Sequence, residues 1–161
     1  MLELVHSHLK KGNYSVDDVK KALNVDDLAP VLKDIPYFYE VLNQNKSFML
    51  NERATHVFSE ASRVYKYKAI CDDDAIPDEE KVKKLGTLMN ESHFSCKVLY
   101  ECSSENLDEL TKLARDSGAF GSRLTGAGWG GCCVSLVDKQ ILNTFIDKMH
   151  TYYTKEREPG Y

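Results

Sequence analysis

From Leu50 onward, apolar residues return at steps of three and four: Leu50, Ala54, Val57, Phe58, Ala61, Val64 and Tyr65. That period predicts one long amphipathic helix, because residues three and four apart share a helix face. A second stripe, Val82, Leu85, Met89, Ser92, Cys96 and Leu99, follows Pro77 and Asp78-Glu79-Glu80. Proline opens a first helical turn well, and acids there face the positive end of the helix dipole. Ser104-Glu105 starts the next helix, with Leu107, Leu110 and Ala114 on its inner face and Gly118 as its C-terminal cap. A last helix carries Ile141, Leu142, Phe145, Ile146, Met149 and Tyr152 or Tyr153.

The first fifty residues are less periodic. Residues 1–11 read as helix stopped by Gly12-Asn13, and Ser15-Val16-Asp17-Asp18 as a capping box leading Val19, Ala22 and Leu23 down one face. Residues 24–39 read as irregular, with Pro30 and Pro36 as breakers. Strand-like runs are short: Tyr100–Cys102, Arg123–Thr125 and Cys132–Val137. The expectation is an α+β fold with helices on one face of a small, mostly antiparallel sheet.

Between the last two strand runs lies Gly121-Ser122-Arg123-Leu124-Thr125-Gly126-Ala127-Gly128-Trp129-Gly130-Gly131, which holds five of the nine glycines. Residues 126–131 spell G-x-G-x-x-G, yet a strand follows where a dinucleotide-binding loop would open a helix. A protein-kinase glycine loop would need Val where Cys133 stands, together with lysine-strand, H-R-D and D-F-G motifs that are not found. Two readings stay open. Gly126, Gly128, Gly130 and Gly131 can shape backbone N–H groups into an anion-binding nest, or they can simply relieve strain in a tight connection. Arg123 and Thr125 alternate on the strand, so both project from one face. Arg123 suits a phosphate or carboxylate, or a structural ion pair with a neighbouring helix. Trp129 is a core plug or a lid over substrate, and Ser122 is a minor candidate.

The longer phrase from Gly121 to Cys132 resembles the third signature motif of the GHMP small-molecule kinases, in wording nearest the galactokinase branch. Leu88-Met89-Asn90-Glu91-Ser92-His93 and Tyr100–Leu110 resemble the helix pair that precedes it there, and Arg53–Glu60 the helix before those. Within the branch the wording is most similar to the C-terminal part of N-acetylgalactosamine kinases. The match runs over residues 48–153, leaving a variable helical lead-in over 1–47 and a tail over 154–161. The resemblance implies the GHMP C-terminal domain with its split βαβ arrangement, and transfer of the ATP γ-phosphate, with Mg²⁺, to the anomeric hydroxyl of galactose or N-acetylgalactosamine. It assigns Ser122, Arg123, Thr125, Gly126, Ala127, Gly128, Trp129, Gly130 and Gly131 to the substrate and phosphate loop. It also implies that the sugar-recognition motif, the Gly-Leu-Ser-Ser-Ser phosphate loop and the catalytic aspartate belong to an N-terminal lobe outside this segment. No catalytic residue is assigned here, the segment is expected to be inactive alone, and the final strand of galactokinases is expected to be missing at Pro159-Gly160-Tyr161. A rival reading is a truncated, non-catalytic product or a sugar-sensing or interaction module.

At 161 residues, 42% of them hydrophobic, the chain has material for one core and reads as one domain. A net charge of −4 and short lysine clusters flanked by acids exclude an electrostatic nucleic-acid footprint. The five cysteines show no C-x-x-C spacing, so reduced thiols in the cytoplasm are expected, with Cys132 and Cys133 packing on opposite strand faces. No apolar run is long enough to span a membrane. Asp72-Asp73-Asp74 reads as solvated acids before a helix rather than a metal cluster. His93 suits a general base by type but reads as a hydrogen-bonded structural residue, and His6 and His8 do not share a helix face.

Overall fold

The computed structural model describes residues 1–157; the expected tail reaches four residues further, and residues 158–161 lie outside the described residues. Its class is α+β: helices with two small antiparallel sheets. Where the sequence reading has a single domain, the chain divides into two compact units, Met1–Phe58 and Ser59–Tyr161, and the boundary falls within one helix.

The first unit contains α1 (Leu2–His8), β1 (Tyr14–Ser15), α2 (Val16–Leu23), α3 (Ala29–Leu32), α4 (Phe38–Gln44), β2 (Ser47–Phe48) and the opening turns of α5 (Leu50–Asp72). Ser15 caps α2 as expected: its side chain accepts from Asp18 N–H while the Asp18 carboxylate accepts from Ser15 N–H. β1 pairs with β2, Tyr14 opposite Phe48. Val5, Tyr14, Leu28 and Phe38 are buried, whereas Ala22 and Leu23, expected to face inward, are exposed. The stretch expected to be irregular holds α3 and the start of α4. Pro30 sits in the first turn of α3, where its missing N–H has no helical partner to lose.

The second unit is built around a hairpin. β3 (Gly121–Thr125) pairs with β4 (Cys132–Leu136) in register from Gly121↔Leu136 to Thr125↔Cys132, and α6 (Asp78–Ser95) and α7 (Glu105–Asp116) pack on β3. Ser104 caps α7 by accepting from Leu107 N–H, and Gly118 ends it at φ 107°. The core is Cys96, Cys102, Leu107 and Leu124, with Ala114 and Thr111 fully buried beside it. Gly86 and Gly121 let α6 and β3 meet backbone to backbone: a Cβ on either would run into the other segment.

Three expectations fail here. Tyr100–Cys102 is not a strand; α6 widens into a π-helical turn over Cys96–Tyr100, ended by Glu101 at φ 59°, and Cys102 N–H closes back onto the Cys96 carbonyl. Cys132 is exposed rather than packed. The stripes of α5 and of α8 (Leu142–Thr151) are largely uncovered: Ala61, Val64, Tyr65, Leu142 and Ile146 face solvent, Val64 at 67% exposure. Amphipathic periodicity marks a face that suits burial, not a partner to bury it.

Candidate functional site at the glycine loop

The loop that joins β3 to β4 is left-handed over most of its length. Gly126 has φ 85°, Gly128 88°, Trp129 55°, Gly130 146° and Gly131 89°, with Ala127 alone on the ordinary side. Only glycine takes such angles freely, so a tryptophan among them is held there by its surroundings. The holding contact is visible: Trp129 N–H donates to the Cys102 carbonyl at 2.6 Å. Gly128 presses on the same residue, and a Cβ there would overlap the Cys102 carbonyl oxygen. At Gly126, Gly130 and Gly131 a Cβ would meet nothing within 4 Å. The loop is thus pinned at its middle and open at both shoulders.

The candidate side chains separate into two groups. Thr125, Ala127 and Trp129 are exposed together at the tip, the indole at 64%, so Trp129 is no core plug. Ser122 is fully buried and exchanges a 2.9 Å hydrogen bond with Ser135, which turns it away from any ligand at the tip. Arg123 takes the structural option: its Nη1 lies 3.4 Å from the Glu60 carboxylate of α5. Glu60 is shared, also accepting from Arg63 at 2.6 Å and from the Ser92 hydroxyl at 2.7 Å. Burial pushes the Glu60 carboxyl up, but those hydrogen bonds and the two guanidinium charges outweigh it and hold its pKa below the ordinary value. This network borders a groove of about 500 Å³ whose other walls include Val64, Tyr67, Leu88 and Met89.

His93 is 6% exposed and satisfied on both nitrogens. Nδ1 accepts from Leu124 N–H at 3.2 Å, so the ring proton belongs on Nε2, which points at Thr111 Oγ1 (3.0 Å) and the Asp108 carboxylate (3.2 Å). Burial lowers its pKa, with Arg115 and Lys97 adding to the effect and Asp108 opposing it. It is a buried neutral imidazole and not an exposed base. Burial and the adjoining Cys102 push the Cys96 thiol up to about 11, which leaves little thiolate for nucleophilic chemistry. Among the described residues no three His, Cys, Asp or Glu side chains converge as a metal cluster would require. In the acid run, Asp72 pairs with Lys68 and Asp73 accepts from Ala75 N–H, closing the turn after α5.

A family model described as the C-terminal domain of GHMP kinases matches residues 74–155, which takes in α6, α7 and the whole hairpin. The chain belongs to the GHMP kinase family. This GHMP segment is 40% identical to the galactokinase of Dictyostelium discoideum over 95% of its own length and 33% of that protein's. It is 44% identical to the galactokinase of Saccharomyces cerevisiae, over 85% of itself and 26% of the relative. It therefore spans about a third or less of those relatives. The crystal structure of Lactococcus lactis galactokinase complexed with galactose aligns with a TM-score of 0.55 at 32% identity, covering 65% of this chain and 26% of that one. The sequence motif locates the loop, but nothing in it singles out Glu60 and Asn90, which hold the strand at the loop's base, or the Cys102 carbonyl, which pins its middle. The available signals for Asn90 are its place in the family-like phrase Leu88–His93 and its i, i+3 spacing from His93, which sets both on one face of α6.

Proposed function

We propose that this chain is the C-terminal part of a cytoplasmic galactokinase-like kinase, one that moves the ATP γ-phosphate onto the anomeric hydroxyl of galactose or N-acetylgalactosamine. The observation that carries the reading is the pinned glycine loop: Gly126, Ala127 and Gly128 alternate in the sign of φ, the backbone pattern of an anion nest, beside an exposed Trp129. Phosphoryl transfer rests mainly on positioning and charge stabilisation, so a rigid backbone cradle is a contribution one segment can make by itself. The loop fits phosphate oxygens of ATP or of the phosphorylated sugar. Mg²⁺ finds no matching set of carboxylates among the described residues, and its ligands are assigned to the rest of the kinase. The same lobe supplies the catalytic aspartate and principal phosphate loop, and it covers the exposed stripe of Ala61, Val64 and Tyr65.

The test joins this chain to the remainder of the Saccharomyces cerevisiae galactokinase, in place of that enzyme's own matching segment. ADP release is then followed with each sugar. The fusion is expected to turn over at about 1–100 per second on at least one sugar, and the chain alone on neither. Substituting Gly126 or Gly130 singly by alanine in the fusion should cut the turnover of the folded enzyme while costing only the backbone strain of about 1–2 kcal/mol in stability, read from parallel melts. A folded fusion that is silent on both sugars refutes the kinase reading. If the isolated chain then still bound a sugar, the sensing module would be the reading left.

A further inference from the structure

In an antiparallel pair the N–H and C=O groups of alternate residues point to opposite edges of a strand, so one edge of β3 serves β4 and the other needs a different partner. That partner is not a strand. Ser122 N–H donates to Asn90 Oδ1 at 3.0 Å, Asn90 Nδ2 donates to the Phe120 carbonyl at 3.3 Å, and Leu124 N–H donates to His93 Nδ1 at 3.2 Å. A strand lying parallel to β3 would offer one residue whose C=O accepts from residue 122 and whose own N–H donates to residue 120, and the primary amide of Asn90 does both. His93 continues the row one step further. Arg123 Nε closes it by donating to the Leu124 carbonyl at 3.0 Å.

We infer that Asn90 and His93 are positioning residues of the glycine loop: from one face of α6 they form a substitute strand that fixes β3 up to Leu124, two residues before Gly126. This rests on the proposed role of the loop only for its bearing on catalysis; the anchoring itself belongs to this chain and needs no substrate. His93 can serve only while Nδ1 is unprotonated, because imidazolium would turn a second donor toward Leu124 N–H. The charges that act on the ring are Asp108 and Arg115 from α7 and Lys97 from the π-helical turn, Glu109 and Lys112 of α7 line the same pocket, and β3 meets the ring through the Leu124 N–H. Asp108 favours the protonated ring, while Arg115, Lys97 and burial disfavour it. Release of Leu124 is therefore expected as the pH falls below the ordinary histidine value of 6.5.

Trp129 is the single tryptophan and sits in the loop, so its emission reports the anchor. Emission maximum and acrylamide quenching of the 161-residue chain are followed from neutral to mildly acidic pH, with hydrogen exchange of the Ser122 and Leu124 amides at both ends. The expected result is one transition with a midpoint below 6.5, accompanied by at least a tenfold fall in the protection of the Leu124 amide relative to its intrinsic exchange at the same pH. His93→Asn, whose Oδ1 can replace Nδ1 as acceptor but does not titrate, should abolish the transition and keep Leu124 protected. Should that variant fail to fold, Asp108→Asn at the half-exposed end of the pair decides the matter, since it should move the midpoint lower still. A signal flat with pH, a transition unchanged in His93→Asn, or a midpoint that stays put or rises in Asp108→Asn would each overturn the inference. A fusion enzyme silent on sugars, with this transition intact, would sink the kinase reading alone.

Discussion

Replacing Gly128 by alanine tests the middle pin of the loop, and Gly126→Ala is its internal control. Both put an L-residue at nearly the same left-handed angle, φ 88° and 85°, so both incur the same backbone strain. That shared cost is about 1–2 kcal/mol. Their surroundings differ: the new methyl at 126 meets open space, whereas at 128 it overlaps the Cys102 carbonyl oxygen and sits 3.0 Å from the Cys102 Cβ. Forcing the methyl into packed structure costs about 1–3 kcal/mol, whereas backing the loop away to relieve it loses the Trp129 N–H to Cys102 bond, about 0.5–1.5 kcal/mol. Gly128→Ala should thus be destabilised by roughly 0.5–3 kcal/mol beyond Gly126→Ala, whichever of the two responses prevails. Urea denaturation followed by Trp129 emission measures the difference within the unit that contains the loop. Equal losses in the two variants would show that Cys102 does not pin the loop. The same geometry decides which glycines test the cradle: lost activity on substituting Gly128 reports packing, while lost activity at Gly126, Gly130 or Gly131 reports contact with substrate.

Glu60 provides a pH prediction. Folding lowers its pKa below the ordinary 4.5, so it stabilises the fold at higher pH and loses that contribution as pH falls through the folded value. Urea midpoints should drop below pH 4.5 in the native chain and drop less in Glu60→Gln, and parallel profiles would refute the role of the Arg63, Ser92 and Arg123 contacts. The exposed stripe on α5 should make the chain self-associate at micromolar concentration, and Val64→Ser with Tyr65→Ser should shift sedimentation toward monomer. A native chain that sediments as a monomer throughout would mean that this face needs no cover.

Legibility in the sequence followed the range of the interactions involved. Local rules located α5 by its period and α6 and α7 with their ends, because Ser104, Pro77 and Gly118 act on backbone groups within a turn of themselves. The glycine phrase located the hairpin for the same reason. What escaped depended on distant partners. Tyr100–Cys102 has strand-like composition, but Cys102 is drawn into a core with Leu107 and Leu124, and the chain reaches it through a π-helical turn. Ser122 and Trp129 stand seven residues apart in one motif, yet the first is buried against Ser135 and the second exposed, a difference set by strand register and by Cys102. The lead-in misled most, since α3 and α4 lack the length for periodicity to register.

The amide of Asn90 has a consequence for synthesis. It precedes Ser122 by 32 residues and lies on a helix complete before β3 exists. At ribosomal speeds of about 5–20 residues per second, the cap waits roughly 2–6 seconds for its strand. When β3 emerges, one edge already has a docking surface, and β4 follows at the other. A nascent hairpin is at its most vulnerable while both edges are bare, able to pair with any neighbouring chain. Here the order of residues along the chain shortens that interval, leaving β4 as the single edge through which the sheet can grow.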